Sequence, residues 1–419
     1  MADAATQRAV EAVWRIESRT LIGALARIVR DVALAEDLAQ DALIDALRRW
    51  PESGVPENPG AWLMAAAKFR AIDRLRRDRR LADKHEELAR DIGAQLAIDG
   101  AELAAIVNGE IEDDVLRLML ACCHPVLATE ARVALTLRLV GGLSTDEIAR
   151  AFLVAEPTIA QRIVRAKRHL TTSQIPFEIP DREELPARLR SLLEVIYLIF
   201  NEGYSASAGE DWMRPALCED ALRLGRILAE LVPGEAEVHG LVALMEMQAS
   251  RIAARTGPEG EPVLLSEQDR SRWDRLLIRR GLEALERAER LATPRGAYTL
   301  QAAIAACHAR GPTAALTDWE RIAELYEALV GLTASPVVEL NRAVAVAMAF
   351  GPAAGLRIVE SLDGDRSLAN YHLLPSVRGE LLAQLGRNAE ACTAFELAAS
   401  LTRNRRERDL LAARAAARR

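Results

Sequence analysis

At 419 residues the chain is long enough for more than one domain, and 50% hydrophobic with 27% charged residues suits a protein with a packed core. No apolar run approaches the roughly 20 residues that cross a bilayer, and the opening MADAATQRAVEAVW lacks the basic-then-apolar order of an export signal. A formal net charge of −7 argues against indiscriminate nucleic-acid binding, so any such binding must rest on local patches.

Alanine, leucine, arginine and glutamate dominate and no run of alternating β-branched residues occurs, which predicts an all-α protein. The first marked element is DVALAEDLAQDALIDALRRW (31–50), a helix with Leu34, Leu38 and Leu47 on an apolar side. Asp37, Gln40, Asp41 and Ile44 share another side at helical spacing. That side is either a solvated acidic face or a dock for a basic partner.

After the breaker-rich PESGVPENPG (51–60), a second helix runs to about residue 80. It carries Lys68, Arg70, Arg74, Arg76, Arg77, Arg79 and Arg80 against Asp73 and Asp78 alone. Arg70, Arg74 and Arg77 fall on one stripe, a ridge suited to following phosphates because each guanidinium binds oxygens bidentately. Trp62 either packs in the core or stacks on a base. The charge then reverses: residues 82–110 hold seven acids against Lys84 and Arg90, and read as an acidic linker.

Residues 143–170, LSTDEIARAFLVAEPTIAQRIVRAKRHL, open on Ser144 and Glu147 at capping-box spacing. Ile148, Ala149 and Phe152 give that helix an apolar side. A short turn follows, and Pro157 suits the start of a second helix with Ile159 and Ile163 inward. Thr158, Gln161, Arg162 and Arg165 are left outward, and Lys167 and Arg168 extend a patch with no acid. The pattern reads as a DNA-binding helix-turn-helix, the alternative being an ordinary helical hairpin.

The five cysteines, Cys122, Cys123, Cys218, Cys307 and Cys392, are odd in number and scattered, which predicts reduced thiols of the cytoplasm. CCHP (122–125) lacks the spacing of a zinc site and reads as buried helix. Beyond 185 no catalytic constellation occurs, and His239, His308 and His372 lie apart in helical contexts. The chain therefore reads as a non-enzyme without metal or cofactor. The content of this half is repetition: MAFGPAAGLRIVESL (348–362) and AQLGRNAEACTAFELAASL (383–401) both read helix, glycine, helix, with small Ala391, Ala394 and Ala398 around Phe395. In FNEGYSAS (200–207), Gly203 reads as a helix terminator.

AEDLAQDALIDALRRW, AWLMAAAKFRAIDRLRR and LSTDEIARAFLVAEPTIAQRIVRAKR, in that order and spacing, resemble an extracytoplasmic-function RNA polymerase sigma factor. The resemblance covers roughly 8–172, and EVIYLIFNEGYSAS with SPVVELNRAVAVAMAFG resembles the TPR-like extension of one subgroup. It implies a sigma-2 domain at 1–81, an acidic linker at 82–110, a sigma-4 helix-turn-helix domain at 111–172 and a TPR-like domain at 185–419. By resemblance, Asp37, Gln40, Asp41 and Ile44 meet the clamp helices of polymerase β′, and Trp62, Lys68, Arg70, Arg74 and Arg77 hold the −10 element. Glu156, Thr158, Gln161, Arg162, Arg165 and Arg168 then enter the −35 groove, where Gln161 suits adenine and Arg162 guanine.

Implied partners are core RNA polymerase, through β′ clamp helices and β flap, and promoter DNA, with a protein partner on the TPR-like domain, no membrane, and a place in the bacterial cytoplasm at the nucleoid. The alternative is a one-component helix-turn-helix regulator whose helical repeat senses a ligand or a protein. Two departures stand out: Phe69 replaces the family's usual asparagine, and Leu153 replaces the turn glycine, which predicts a non-standard turn.

Overall fold

The computed structural model describes residues 2–86, 111–173, 175–206, 211–258 and 260–419. Among these it is all-α, with eighteen α-helices, a few short 3₁₀ turns and no strand. No helix among the described residues is long and apolar enough to cross a membrane. The chain divides into two compact units, 1–195 and 196–419.

In the first unit, α1 (Ala2–Val29) packs on α2 (Val32–Ser53), α3 (Pro59–Glu86) and α4 (Ile111–Cys122). Local chemistry sets the ends. The Asp31 carboxylate accepts from the Leu34 N–H at 2.9 Å to cap α2, Gly54 closes that helix at φ 80°, and Asn58 accepts from the Ala61 N–H at 2.9 Å at the start of α3. Leu21, Ile22, Leu25, Trp50, Leu63 and Met119 are among the fully buried side chains that the pattern places inward. Gly23 allows α1 to lie against α4, since a Cβ there would sit 2.8 Å from the Asp114 carbonyl oxygen. The expected end of the first domain at 81 falls inside α3, and residues 87–110 of the acidic linker lie outside the described residues.

Three helices follow: α5 (Thr129–Leu139), α6 (Thr145–Phe152) and α7 (Glu156–Thr172). Cys122 and Cys123 are buried as expected, and burial pushes the Cys123 thiol up to about 12. The division between units lies within α8 (Leu185–Tyr204), between Val195 and Ile196, and not at 185. The reason is hydrogen bonding: the Arg188 guanidinium donates to the Leu120 carbonyl at 3.0 Å and the Ser191 hydroxyl to the Cys123 carbonyl at 2.6 Å, satisfying acceptors at the end of α4.

The second unit continues with α9 (Pro215–Leu231), α10 (Ala236–Ala249), α11 (Arg275–Leu291), α12 (Ala297–Arg310), α13 (Trp319–Thr333), α14 (Pro336–Phe350), α15 (Pro352–Ser361), α16 (Leu373–Gln384), α17 (Asn388–Leu401) and α18 (Arg405–Ala416). Neighbours in sequence pack on one another. The expected helix–glycine–helix units are present: Gly351 at φ 95° joins α14 to α15, and Gly386 at φ 76° lies between α16 and α17. Ala391, Ala394, Phe395 and Ala398 are all buried, as the small-residue pattern requires. The expected helix end is present: Gly203 lies one residue before the last of α8, Tyr204, and its missing side chain leaves room for α9, where a Cβ would sit 2.7 Å from the Cys218 nitrogen.

Candidate nucleic-acid interface

The Ser144–Glu147 capping box forms in both directions. The Ser144 hydroxyl accepts from the Glu147 N–H at 3.1 Å, and the Glu147 carboxylate accepts from the Ser144 N–H at 2.8 Å. Leu153 follows α6 at φ 51° and ψ 41°, so the turn keeps the left-handed geometry that glycine normally supplies. The expectation of a non-standard turn is corrected here. A side chain in this conformation costs about 1–2 kcal/mol, and the Val154 N–H bond to the Ala149 carbonyl at 3.0 Å helps to hold it.

On α7, Ile159, Ile163, Ala166 and Leu170 are buried. Glu156, Thr158, Gln161, Arg165 and Arg168 are exposed and Arg162 is half-buried, so the predicted reading residues stand clear of the core. Lys167 is the exception within the basic patch. It points back to α2, its Nζ 2.7 Å from Glu36 and 3.6 Å from Asp37.

Glu36 sits at the centre of a charged cluster that pattern reading missed. Its side chain is 3% exposed, and besides Lys167 it accepts from Arg138 Nε at 3.0 Å and from Gln40 Nε2 at 2.6 Å. Thr171 on α7 donates to Asp31 at 2.9 Å, Arg27 pairs with Asp114 at 2.9 Å, and Arg15 pairs with Glu147. The two modules expected as separate domains are thereby clasped within one unit. The signal in the sequence was a lone acid one residue before Asp37, on the side where α2 is otherwise apolar.

The proposed docking residues lie beside this clasp. Asp37 is 70% exposed and Asp41 53%, with Ile44 exposed and Gln40 half-buried. Ile44 and Leu47 also line a groove of about 440 Å³ with Trp14, Ser144 and Arg150.

On α3, Trp62 is half-buried and packs edge-on against Trp50, with 5.5 Å between ring centres. Arg70 pairs with Asp41 at 3.2 Å and with Asp45, so it is held by α2 and does not extend a free ridge. Lys68 is half-buried and burial lowers its pKa, Arg74 is exposed, and the Arg77 side chain lies outside the described residues. Phe69 is the aromatic that faces outward, 75% exposed, with Ala65 and Arg76 exposed on the same face. An outward aromatic beside arginine suits base stacking better than the packed Trp62; its sequence signal was the Phe69 departure itself.

With this geometry in hand, residues 14–81 match sigma-70 region 2 and residues 117–170 match sigma-70 region 4. Residues 188–289 match a family of unknown function, DUF6596. An uncharacterized protein of Rhizobium meliloti (strain 1021) is 46% identical over 92% of this chain and 90% of its own length. The ECF RNA polymerase sigma factor SigK of Mycobacterium ulcerans (strain Agy99) is 28% identical over 35% of this chain and 76% of its own. The chain belongs to the extracytoplasmic-function group of the sigma-70 family, and carries a helical C-terminal extension beyond the two matched regions.

Proposed function

We propose that this sigma factor docks on core RNA polymerase through the Asp37–Asp41–Ile44 face of α2, reads the −35 element with α7 and engages the −10 element with α3. The observation that carries this reading is the exposure of two surfaces of contrasting charge on the two matched regions: an acidic and apolar row on α2, and Thr158, Gln161, Arg165 and Arg168 on the second helix of a capped helix-turn-helix. Acidic side chains at a docking surface suit a basic partner, while arginines suit phosphate and guanine edges. The −10 and −35 elements lie roughly 25 base pairs apart by their own labels, on the order of 85 Å of duplex. Helices held in direct contact by Lys167, Glu36 and Asp37 do not span that distance, so the clasp opens when polymerase takes α2. In this reading α3 supplies cations and Phe69 to the opened strand, and the C-terminal half modulates initiation through a partner of its own.

The test is run-off transcription with purified core polymerase and promoter fragments, together with direct binding to core. The reading expects nanomolar core binding and promoter-specific transcripts from the full chain. Sequence-specific duplex binding that needs no core, without transcripts, would favour the one-component regulator. Within the first reading, Gln161→Ala and Arg162→Ala are each expected to cost about 1–3 kcal/mol of discrimination at one or two base pairs. Arg168→Ala is expected to weaken binding evenly across sequences and to lower the salt slope by about 1. Competition binding across single-base promoter variants at several salt concentrations separates the two effects. An even loss from Gln161→Ala would remove it from base reading.

A further inference from the structure

The 196–419 unit holds a partly open pocket of about 240 Å³ where α10, α12, α13 and α14 converge on Tyr197 of α8. Its walls are of two kinds. Leu244, Ile304, Leu329 and Val338 supply an apolar side. Gln248, Arg251, His308 and Asn341 supply a polar side, and no carboxylate lines the space.

The polar side is underused by the protein itself. Arg251 makes no ion pair with any described residue; its guanidinium lies 5.8 Å from the ring centres of both Tyr204 and Trp273, and its Nε is buried without an acceptor. His308 is 8% exposed, its ring packs edge-on against Trp319 at 5.1 Å, and its Nδ1 is buried without a partner. Neither Gln248 nor Asn341 makes a side-chain hydrogen bond to a described residue. Arg270, the next cation, has its terminal nitrogens bound by the carbonyls of His308 at 2.8 Å and Gly311 at 2.5 Å and by the Thr317 hydroxyl at 2.8 Å, while its Nε, like that of Arg251, is buried without an acceptor. Gln248 is half-buried and Asn341 exposed at the mouth, so the buried unpaired atoms here are Arg251 Nε and His308 Nδ1; buried polar atoms are nearly always paired, and a ligand is one source of the missing partners.

We propose that this pocket binds a small organic monocarboxylate with an apolar body, its carboxylate on Arg251 and the neighbouring amides and its body against Leu329 and Val338. The charge follows from Arg251 being the cation in the lining with no acid to neutralise it. A planar guanidinium takes a carboxylate bidentately, and Gln248 and Asn341 supply further amide donors. Burial, with Arg251 and Arg270 nearby, drives the His308 pKa down to about 3, so the imidazole is neutral and adds no charge at physiological pH. Tyr326 in the lining likewise stays a neutral phenol, pushed up to about 12 by burial. The volume holds a molecule on the order of ten non-hydrogen atoms. The assignment rests on the second unit alone and does not depend on the docking or promoter-reading roles proposed for the first.

The experiment is titration calorimetry of the full-length protein with benzoate and isovalerate as carboxylate probes, benzamide as the neutral isostere of benzoate, and inorganic phosphate. The expected result is saturable binding of at least one carboxylate, about tenfold or more tighter than benzamide, and weakened about tenfold or more by Arg251→Gln. Asn341→Ala and Gln248→Ala, which remove no charge, are expected to weaken the same probe severalfold with circular dichroism unchanged; they carry the test if Arg251→Gln does not fold. Absence of saturable carboxylate binding up to about 10 mM overturns the proposal. So does benzamide binding equal to benzoate, or affinity unchanged in the folded variants. Phosphate binding as tight as the carboxylates would overturn the ligand class, because the apolar wall would then contribute nothing.

Discussion

Glu36→Ala is expected to destabilise the 1–195 unit by about 3–5 kcal/mol, the cost of leaving buried charges without their counter-ion. Glu36 is 3% exposed and holds Arg138 and Lys167, whose own side chains are only 20% and 15% exposed. Removing the carboxylate takes the buried counter-ion from both cations, leaving Lys167 with Asp37 at 3.6 Å and Arg138 with the Leu143 carbonyl at 3.1 Å, and frees Gln40 from its bond at the same point. Urea denaturation followed by tryptophan fluorescence reads the loss, since Trp14, Trp50 and Trp62 all lie in this unit. Lys167→Ala is the companion variant. It leaves Glu36 with Arg138, so its cost should be smaller, while it still breaks the link between α7 and α2. A stability loss from Glu36→Ala within about 0.5 kcal/mol, the range of an ordinary surface change, would show that the clasp contributes little and that the two regions separate freely.

Reversing the charge at both Asp37 and Asp41 is expected to weaken binding to core polymerase about a hundredfold or more. Each reversal turns an attraction into a repulsion at a surface whose truncated charge pairs typically cost 2–5 kcal/mol. The fold should survive. Both carboxylates are more than half exposed, and their contacts with Lys167 and Arg70 are surface pairs worth about 0–1 kcal/mol. Asp37→Arg also places a cation beside Lys167, which favours the open arrangement, so weakened core binding cannot be attributed to a tighter clasp. Anisotropy with labelled protein and purified core, alongside circular dichroism of the free variant, checks both halves. Unchanged affinity in a folded variant would remove this face from the docking surface.

The features legible in the sequence are those whose physics is local. Ser144 and Glu147 bond across a single helical turn, so their spacing alone announces the cap. Gly351 and Gly386 take positive φ because the chain must reverse within a residue or two. The inward set on α7, Ile159, Ile163 and Ala166, repeats at helical spacing and is buried as its period requires. Leu153 shows where local reasoning overreaches: the missing glycine was visible, but the chain pays a small strain and keeps the turn geometry.

By itself, then, the sequence determined the helices, their caps, the order of two basic modules and the outward polar face of α7, because each depends on residues at most a few turns apart. The tertiary structure alone decided which charges meet. Lys167 belongs by sequence to a basic DNA-facing patch, yet packing turns it onto Glu36, more than a hundred residues earlier. Arg70 belongs to a basic run, yet α2 brings Asp41 and Asp45 within its reach. His308 stands alone in the sequence, and only the convergence of helices from distant stretches sets it beside Arg251 and Trp319 at the edge of a pocket. Period and capping depend on spacing along one helix, whereas ion pairs and cavities depend on the rotation and separation of several, which no single element encodes.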